Sequence, residues 1–308
     1  MRARSCSDPA PLRKGQPGII GVLMRTLIIG RGQLGHALAR LLPEAATVRH
    51  PEFDLGSWES VKTFDWEGIG TVINAAAFTL VDAAETVEGS VRAWRTNAQG
   101  VAHLAAIARE RDLLLVHVSS DYVFDGEKTE PYREDDPVNP QGVYGRSKAG
   151  GDLAATGVSR HYVLRTSWVY YHGGQNFVNT MLRLGRERGE LEVVGDQVGR
   201  PTHAGDLAAA IVELLERAAP FGIYNCTNSG EAISWADLAR AVMETAGLSC
   251  RITPVTTRHF AQNRDPFAPR PAHSGLDLAK LERLGIRPRH WREALTAYLA
   301  KELEESRA

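Results

Sequence analysis

Residues 26–35 read Thr26-Leu27-Ile28-Ile29-Gly30-Arg31-Gly32-Gln33-Leu34-Gly35. Four β-branched or aliphatic residues met at once by glycines predict a short buried strand. The glycines match G-x-G-x-x-G. Leu34, Leu38, Leu41 and Leu42 then recur at helical spacing up to a stop at Pro43. A strand passing through such a turn into a helix is the context in which this pattern marks a dinucleotide site. Gly30 permits the tight turn, Gly32 lets backbone approach a pyrophosphate at the helix N-terminus, and Gly35 allows close packing of helix on strand. Glycines there also serve as plain turn punctuation; their place near the start of the domain favours the dinucleotide reading. An acidic residue about 20 positions on, to hold a ribose 2′-hydroxyl, is not evident. The next short strand, residues 46–48, is followed by Arg49 and His50. One of them is expected to face a 2′-phosphate, which points to NADPH; a solvated loop charge is the competing reading.

Working outward, strand and helix patterns alternate. Strands are expected at 70–74, 113–118 and 162–165, with helices at 33–42, 91–110 and 144–155. Such alternation predicts an α/β fold, a Rossmann-type doubly wound parallel sheet covered on both faces, with its ligands at the carboxyl ends of the strands. Beyond residue 166 the rhythm loosens. Helices are expected at 176–188, 204–217, 234–246 and 291–303, strands at 191–194 and 222–226, and a proline-rich loop at 260–274. The expected division is an NAD(P)-binding domain at 24–170 and a smaller substrate-binding region at 171–308, interleaved with the last strands of the sheet. Residues 1–23 are basic and rich in Pro and Ser, with little to bury, and are expected to be a disordered tail or an overextended start before Met24.

Composition narrows the function. The chain has 308 residues, ample for a sizeable core, and 36 Lys+Arg against 37 Asp+Glu. A balance this close to zero provides no general field for a nucleic acid or an anionic membrane surface, so neither is an expected partner. A few local arginines suffice for a small anion. Cys6, Cys226 and Cys250 are scattered and have no metal-ligand spacing, and no apolar run is long enough to span a bilayer. A reducing, cytoplasmic setting is the expectation.

The chemistry is carried by three residues. Tyr144-Gly145-Arg146-Ser147-Lys148 is Y-x-x-x-K on an expected helix, which puts both side chains on one face. A phenol is a sluggish acid near neutrality, and an adjacent ammonium is expected to favour the phenolate and lower its pKa. Ser119-Ser120-Asp121-Tyr122 follows the apolar strand Leu113-Leu114-Leu115-Val116-His117-Val118. A hydroxyl there can bind a carbonyl oxygen beside the tyrosine, although serines at a strand end also serve as simple turn residues.

Together these residues resemble the extended short-chain dehydrogenase/reductase family, and within it the dTDP-4-dehydrorhamnose reductase branch. The matching segments include GQLG at 32–35, NAAAFTLVDAAE at 74–85, SSDYVFDG at 119–126, PVNPQGVYGRSKAGGD at 137–152, LRTSWVY at 164–170 and RPAHSGLD at 270–277. The resemblance implies NADH- or NADPH-dependent reduction of the C4 ketone of dTDP-4-dehydro-β-L-rhamnose to dTDP-L-rhamnose. Tyr144 would donate the proton, Lys148 would bind the nicotinamide ribose, and Ser120 would hold the ketone oxygen. Gly30, Gly32, Gln33, Leu34 and Gly35 would cradle the pyrophosphate. Asp54 and Leu55 would flank the adenine, and Ala75, Ala76 and Ala77 would line the cleft. Asp121 would touch the sugar, Trp168 would stack on it, and Arg270, ahead of Arg200, Arg251 and Arg258, would meet the diphosphate. Serine stands at 120 and His273 at positions where the family more often has threonine and asparagine, and the glycine turn is one residue shorter than usual. Some relatives bind magnesium at a dimer interface, so the resemblance leaves magnesium, with no ligands assigned, and the choice of monomer or homodimer open. Another nucleotide-sugar reductase or epimerase, or a non-catalytic NADP-binding regulatory subunit, are the competing readings; an intact Ser120–Tyr144–Lys148 set disfavours the latter.

Overall fold

A computed structural model describes residues 26–305; the expected tail at 1–23 and the start at Met24 lie outside the described residues. Five strands come from the first half: β1 (Thr26–Ile29), β2 (Ala46–Val48), β3 (Thr71–Asn74), β4 (Leu114–Val118) and β5 (His161–Arg165). Seven come from the second: β6 (Val169–Tyr170), β7 (Glu190–Val194), β8 (Val198–Gly199), β9 (Thr202–His203), β10 (Gly222–Asn225), β11 (Ile233–Ser234) and β12 (Arg251–Val255). Six of these build the central sheet in the order β2-β1-β3-β4-β5-β10, with every neighbouring pair parallel. Leu27 lies opposite both Ala46 and Val72, and Val72 opposite Leu115, so one register carries the apolar rows across the sheet. The chain leaves β1 for β2 on one side and returns to β3 on the other. That reversal opens a crevice at the carboxyl ends of β1 and β3.

Helices cover both faces. They are α1 (Gln33–Leu41), α2 (Trp58–Thr63), α3 (Val87–Trp94), α4 (Gly100–Glu110), α5 (Val143–Thr156), α6 (Phe177–Glu187), α7 (Ala204–Glu216), α8 (Trp235–Ala246), α9 (Thr257–Ala261), α10 (Ala279–Arg283) and α11 (Trp291–Glu305). Alternate strand residues point to opposite faces. Ile28, Ile73, Val116 and Leu164 pack with Leu34 and Leu38 of α1 and Leu207 and Ile211 of α7. Leu27, Ile29, Val72, Leu115 and Val163 pack instead with Val61 of α2 and Val101, Leu104 and Ile107 of α4. Burial on both faces explains why these strands read as unbroken apolar runs. A third core joins α6, α8, α11, β7 and β12 around Trp291.

The helix expected at 91–110 is longer and not uniform. It starts at Val87, where the Thr86 hydroxyl accepts from Gly89 N, and passes through a π turn at Arg95–Gln99. Asn97 sits in that turn, buried. Its amide accepts from Phe78 N at 2.8 Å and donates to Phe78 O and Ser147 Oγ, both at 3.0 Å. The widened turn aims Asn97 at two partners, Phe78 and Ser147, a use that helical periodicity does not reveal.

Candidate active site

The crevice contains a cavity of about 840 Å³. The turn after β1 supplies Gly30, Arg31, Gly32, Gln33 and Leu34, and the segment after β3 supplies Ala75, Ala76 and Ala77. Ser120, Asp121, Tyr144, Lys148 and Trp168 line the opposite part. Gly30 has φ +103°, and a Cβ there would lie 2.9 Å from Ala76 N. Gly35 supports the turn from behind: a Cβ on it would fall inside the Gly30 carbonyl oxygen. A Cβ on Gly32 would meet nothing within 4 Å, so backbone faces open cavity there, and no side chain caps the first turn of α1. Free N–H groups at a helix start beside bare backbone suit a pyrophosphate.

Asp54 and Leu55 lie off this wall. Asp54 accepts from Gly56 N at 3.0 Å and pairs with Arg95 at 2.5 Å, while Leu55 is buried against Gly100. The cavity edge at the end of β2 is formed instead by Arg49 and His50, joined by Arg31 and His36. Arg31 is held by Thr47, whose Oγ1 accepts from Nη2 at 3.0 Å. Asp121 is the one carboxylate among the cavity-lining residues.

Tyr144 and Lys148 project from one face of α5. Lys148 is buried and donates to Val118 O at 2.7 Å, which leaves its other protons for the cavity. Burial pulls its pKa down to about 8, against the pull of Asp152. Tyr144 lies edge-on to Tyr122, with ring centroids 5.6 Å apart, and faces the Ser120 hydroxyl. The expected lowering of the Tyr144 pKa is not what its surroundings give. Burial, with Asp121 and Asp152, pushes the Tyr144 hydroxyl up to about 12, although Ser120 opposes the rise. A phenol that keeps its proton at neutral pH is a donor, which is what reduction of a ketone needs. Ser120 donates to Asp121 Oδ1 at 3.0 Å, and burial raises the Asp121 carboxyl to about 6 despite hydrogen bonds from Ser274 and Ser120.

Trp168 sits at φ +49° with its ring stacked on Trp235 at 3.5 Å, and Phe177 packs against Trp235 in turn. Trp235 also lines the cavity, and sequence reasoning missed it. The available signal was Ser234 and Asp237, which form a capping box and so place Trp235 in the first turn of α8. Arg270 lies off the wall: it bonds Asp82 Oδ1 at 2.7 Å and Ala268 O at 2.9 Å, tying the proline-rich loop down. Arg200 donates to Leu276 O at 2.8 Å, Arg251 pairs with Glu190 at 2.7 Å, and Arg258 sits on α9. No group of three or more His, Cys, Asp or Glu side chains among the described residues could hold a metal ion, and no described helix is long and apolar enough to cross a membrane.

A nicotinamide-dependent oxidoreductase of the short-chain dehydrogenase/reductase type is the class that this parallel sheet, bare glycine turn and Tyr144–Lys148 pair define. Comparison with known proteins narrows the class: residues 24–304 match the model of the RmlD substrate binding domain, and the chain belongs to that family. It is 42% identical over 284 residues to the Bacillus subtilis (strain 168) spore coat polysaccharide biosynthesis protein SpsK, covering 90% of this chain and 97% of that one. Among solved structures it resembles a dTDP-4-dehydrorhamnose reductase from Clostridium acetobutylicum ATCC 824, with a TM-score of 0.85, 37% identity, and coverage of 90% and 99% of the two chains. A dTDP-4-dehydrorhamnose reductase from Bacillus anthracis str. Ames, solved in complex with NADP, gives a TM-score of 0.83 at 32% identity, with the same coverage.

Proposed function

We propose that this chain is a dTDP-4-dehydrorhamnose reductase that converts dTDP-4-dehydro-β-L-rhamnose to dTDP-L-rhamnose with NADPH. The observation that carries the reading is the half-buried Tyr144 beside Ser120, one helical turn from buried Lys148, lining the same cavity as the bare glycine turn. Membership of a family with so-named relatives supports the substrate. In this reading residues 24–170 hold the cofactor and residues 171–308 complete the sugar-nucleotide side, with Trp235 reaching across to Trp168.

The residues present fit a dinucleotide. Gly32 and the first turn of α1 bind its pyrophosphate, Ala75, Ala76 and Ala77 border it, and Lys148 reaches a ribose hydroxyl. Arg31, Arg49 and His50 form a basic edge at the end of β2 with no carboxylate among them, which suits a 2′-phosphate and supports NADPH over NADH. NADPH, when bound, supplies the hydride that reaches C4 of the sugar. With the sugar in place the Ser120 hydroxyl turns from Asp121 to donate to the ketone oxygen and orients it toward Tyr144. Tyr144 gives its proton to that oxygen as negative charge develops, and solvent returns a proton to the phenolate. The Lys148 ammonium stabilises that phenolate while it lasts.

The test is a coupled assay with dTDP-4-keto-6-deoxyglucose, a 3,5-epimerase and NADPH or NADH, read by absorbance and by the configuration of the product. The expected result is faster oxidation of NADPH, with a loss of about 10²–10⁴-fold in Tyr144→Phe. No oxidation of either cofactor overturns the reading. A product of opposite configuration at C4 assigns the chain to another nucleotide-sugar reductase.

A further inference from the structure

Behind the Tyr144–Lys148 face of α5 lies a buried polar cluster that the reaction as described leaves unused. Asp152 stands one turn beyond Lys148 on the same face and is 5% exposed. Its Oδ2 accepts from Arg165 Nε at 3.1 Å. Arg165 is equally buried, donates to Glu134 O at 3.1 Å and lies over the Phe124 ring, so its guanidinium is fixed. The other carboxylate oxygen lies 3.9 Å from His117 Nε2, with Ser119 alongside.

The charge state of His117 follows from its partners. Asn74 Oδ1 already accepts from Ala76 N at 3.2 Å, so its amide nitrogen is the atom 3.2 Å from His117 Nδ1. That ring nitrogen therefore accepts, and the proton sits on Nε2, facing Asp152. Burial first, and then Lys148, hold His117 well below its usual pKa, so the ring is neutral. Lys148 is thus faced by Asp152 from its own helix and by neutral His117 from β4, while Arg165 of β5 pairs with Asp152, and Tyr144 and Asp121 line the cavity with the lysine. Asp152 is the carboxylate on the closed side of the lysine, and it does not line the cavity.

We propose that Asp152 is a positioning residue whose carboxylate, clamped by Arg165, keeps the Lys148 ammonium charged and aimed at Val118 O and the cofactor ribose. The proposal rests on the reductase reading for its kinetic readout. Without the carboxylate, Lys148 keeps its desolvation and loses the charge that opposes it, and the Arg165 cation that Asp152 neutralised is left unpaired. Each change favours the neutral amine, so the lysine loses its proton at lower pH.

The experiment compares wild type with Asp152→Asn, Asp152→Glu and the double variant Asp152→Asn/Arg165→Gln, each checked for folding by circular dichroism. In Asp152→Asn the alkaline limb of the kcat profile is expected to fall by about 1 pH unit or more, with KM for the sugar nucleotide moving by less than about twofold. Asp152→Glu restores most of the limb. The double variant removes both members of a buried pair, so it is expected to fold even if the single one does not, with a smaller shift of the same sign. NADPH fluorescence titration against pH gives a second readout that needs no turnover: affinity should fall away at lower pH in Asp152→Asn than in wild type. Limbs and titrations that coincide with wild type overturn the proposal, as does a double variant that cannot fold, which assigns Asp152 to stability alone. A wild-type protein that binds NADPH but turns over no sugar nucleotide overturns the reductase reading instead, and the titration still judges Asp152.

Discussion

Lys148 and Asp121 both occupy a site that works against their charged forms. A fully buried lysine held at about 8 binds its proton less well than in the unfolded chain, where the value is near 10.5. Below pH 8 both states are protonated, and the fold bears a constant cost of about 3 kcal/mol. Between about 8 and 10 the folded protein sheds the proton first, so stability rises with pH across that window. Asp121, raised to about 6, has the opposite slope: its cost grows as pH climbs from about 4 to 6 and is then constant. Charges kept at such cost beside a cavity mark a working site rather than a structural one. Lys148→Met removes the buried ammonium and leaves Asp152 paired with Arg165. The variant should be catalytically dead yet more stable than wild type at pH 7, by about 1–3 kcal/mol. Urea unfolding at pH 7 and pH 9.5 checks the sign, because the gain should shrink at the higher pH. A variant less stable than wild type at pH 7 contradicts the reading of Lys148 as a stability cost.

At the scale of elements, the reacting face depends on how α5 is held. Its first amide, Val143 N, donates to Glu85 Oε1 at 2.7 Å, and Glu85 belongs to the short 3-10 turn Ala83–Glu85 that precedes α3. A carboxylate at a helix N-terminus satisfies an orphan donor and opposes the helix dipole. Glu85→Ala should cost about 1–2 kcal/mol and Glu85→Gln less than half of that, read as a shift in urea midpoint at constant slope. Activity should fall mainly in kcat, since Tyr144 and Lys148 ride on the tilted helix. An unchanged midpoint in Glu85→Ala would show that the cap carries no weight. The sheet was legible because strands buried on both faces read as apolar runs, and the glycine turn and Y-x-x-x-K were legible because their chemistry is local in sequence. The closures between distant residues were not. Arg270 meets Asp82 188 positions back, Asp54 is taken by Arg95, and Trp235 at the start of α8 comes to Trp168 just before β6. No periodicity encodes those pairings, and the π turn around Asn97 is set by partners outside its own helix.

For the whole molecule, a formal charge of -1 conceals a cavity whose edge is basic. The cavity also sits where two cores meet. Leu207 and Val169 belong to the sheet core, whereas Trp168 and Trp235 pack on the core around Trp291, and all four line the same space. A ligand held there bridges both cores and stabilises the fold by mass action, about 2.7 kcal/mol at a hundredfold excess over Kd. For a chain of this size that corresponds to a rise in Tm of roughly 4–5 °C. NADPH and NADH differ by one phosphate, so at equal concentration the difference between their shifts isolates what Arg31, Arg49 and His50 contribute. NADPH should raise Tm more than NADH, and the gap should narrow as salt shortens the Debye length from about 10 Å at 0.1 M to about 3 Å at 1 M. Arg49→Ala should close most of the gap at low salt while leaving the NADH shift in place. Equal shifts at low salt, or a gap that survives Arg49→Ala and Arg31→Ala together, would remove the basic edge as the source of cofactor choice and leave discrimination to the glycine turn alone.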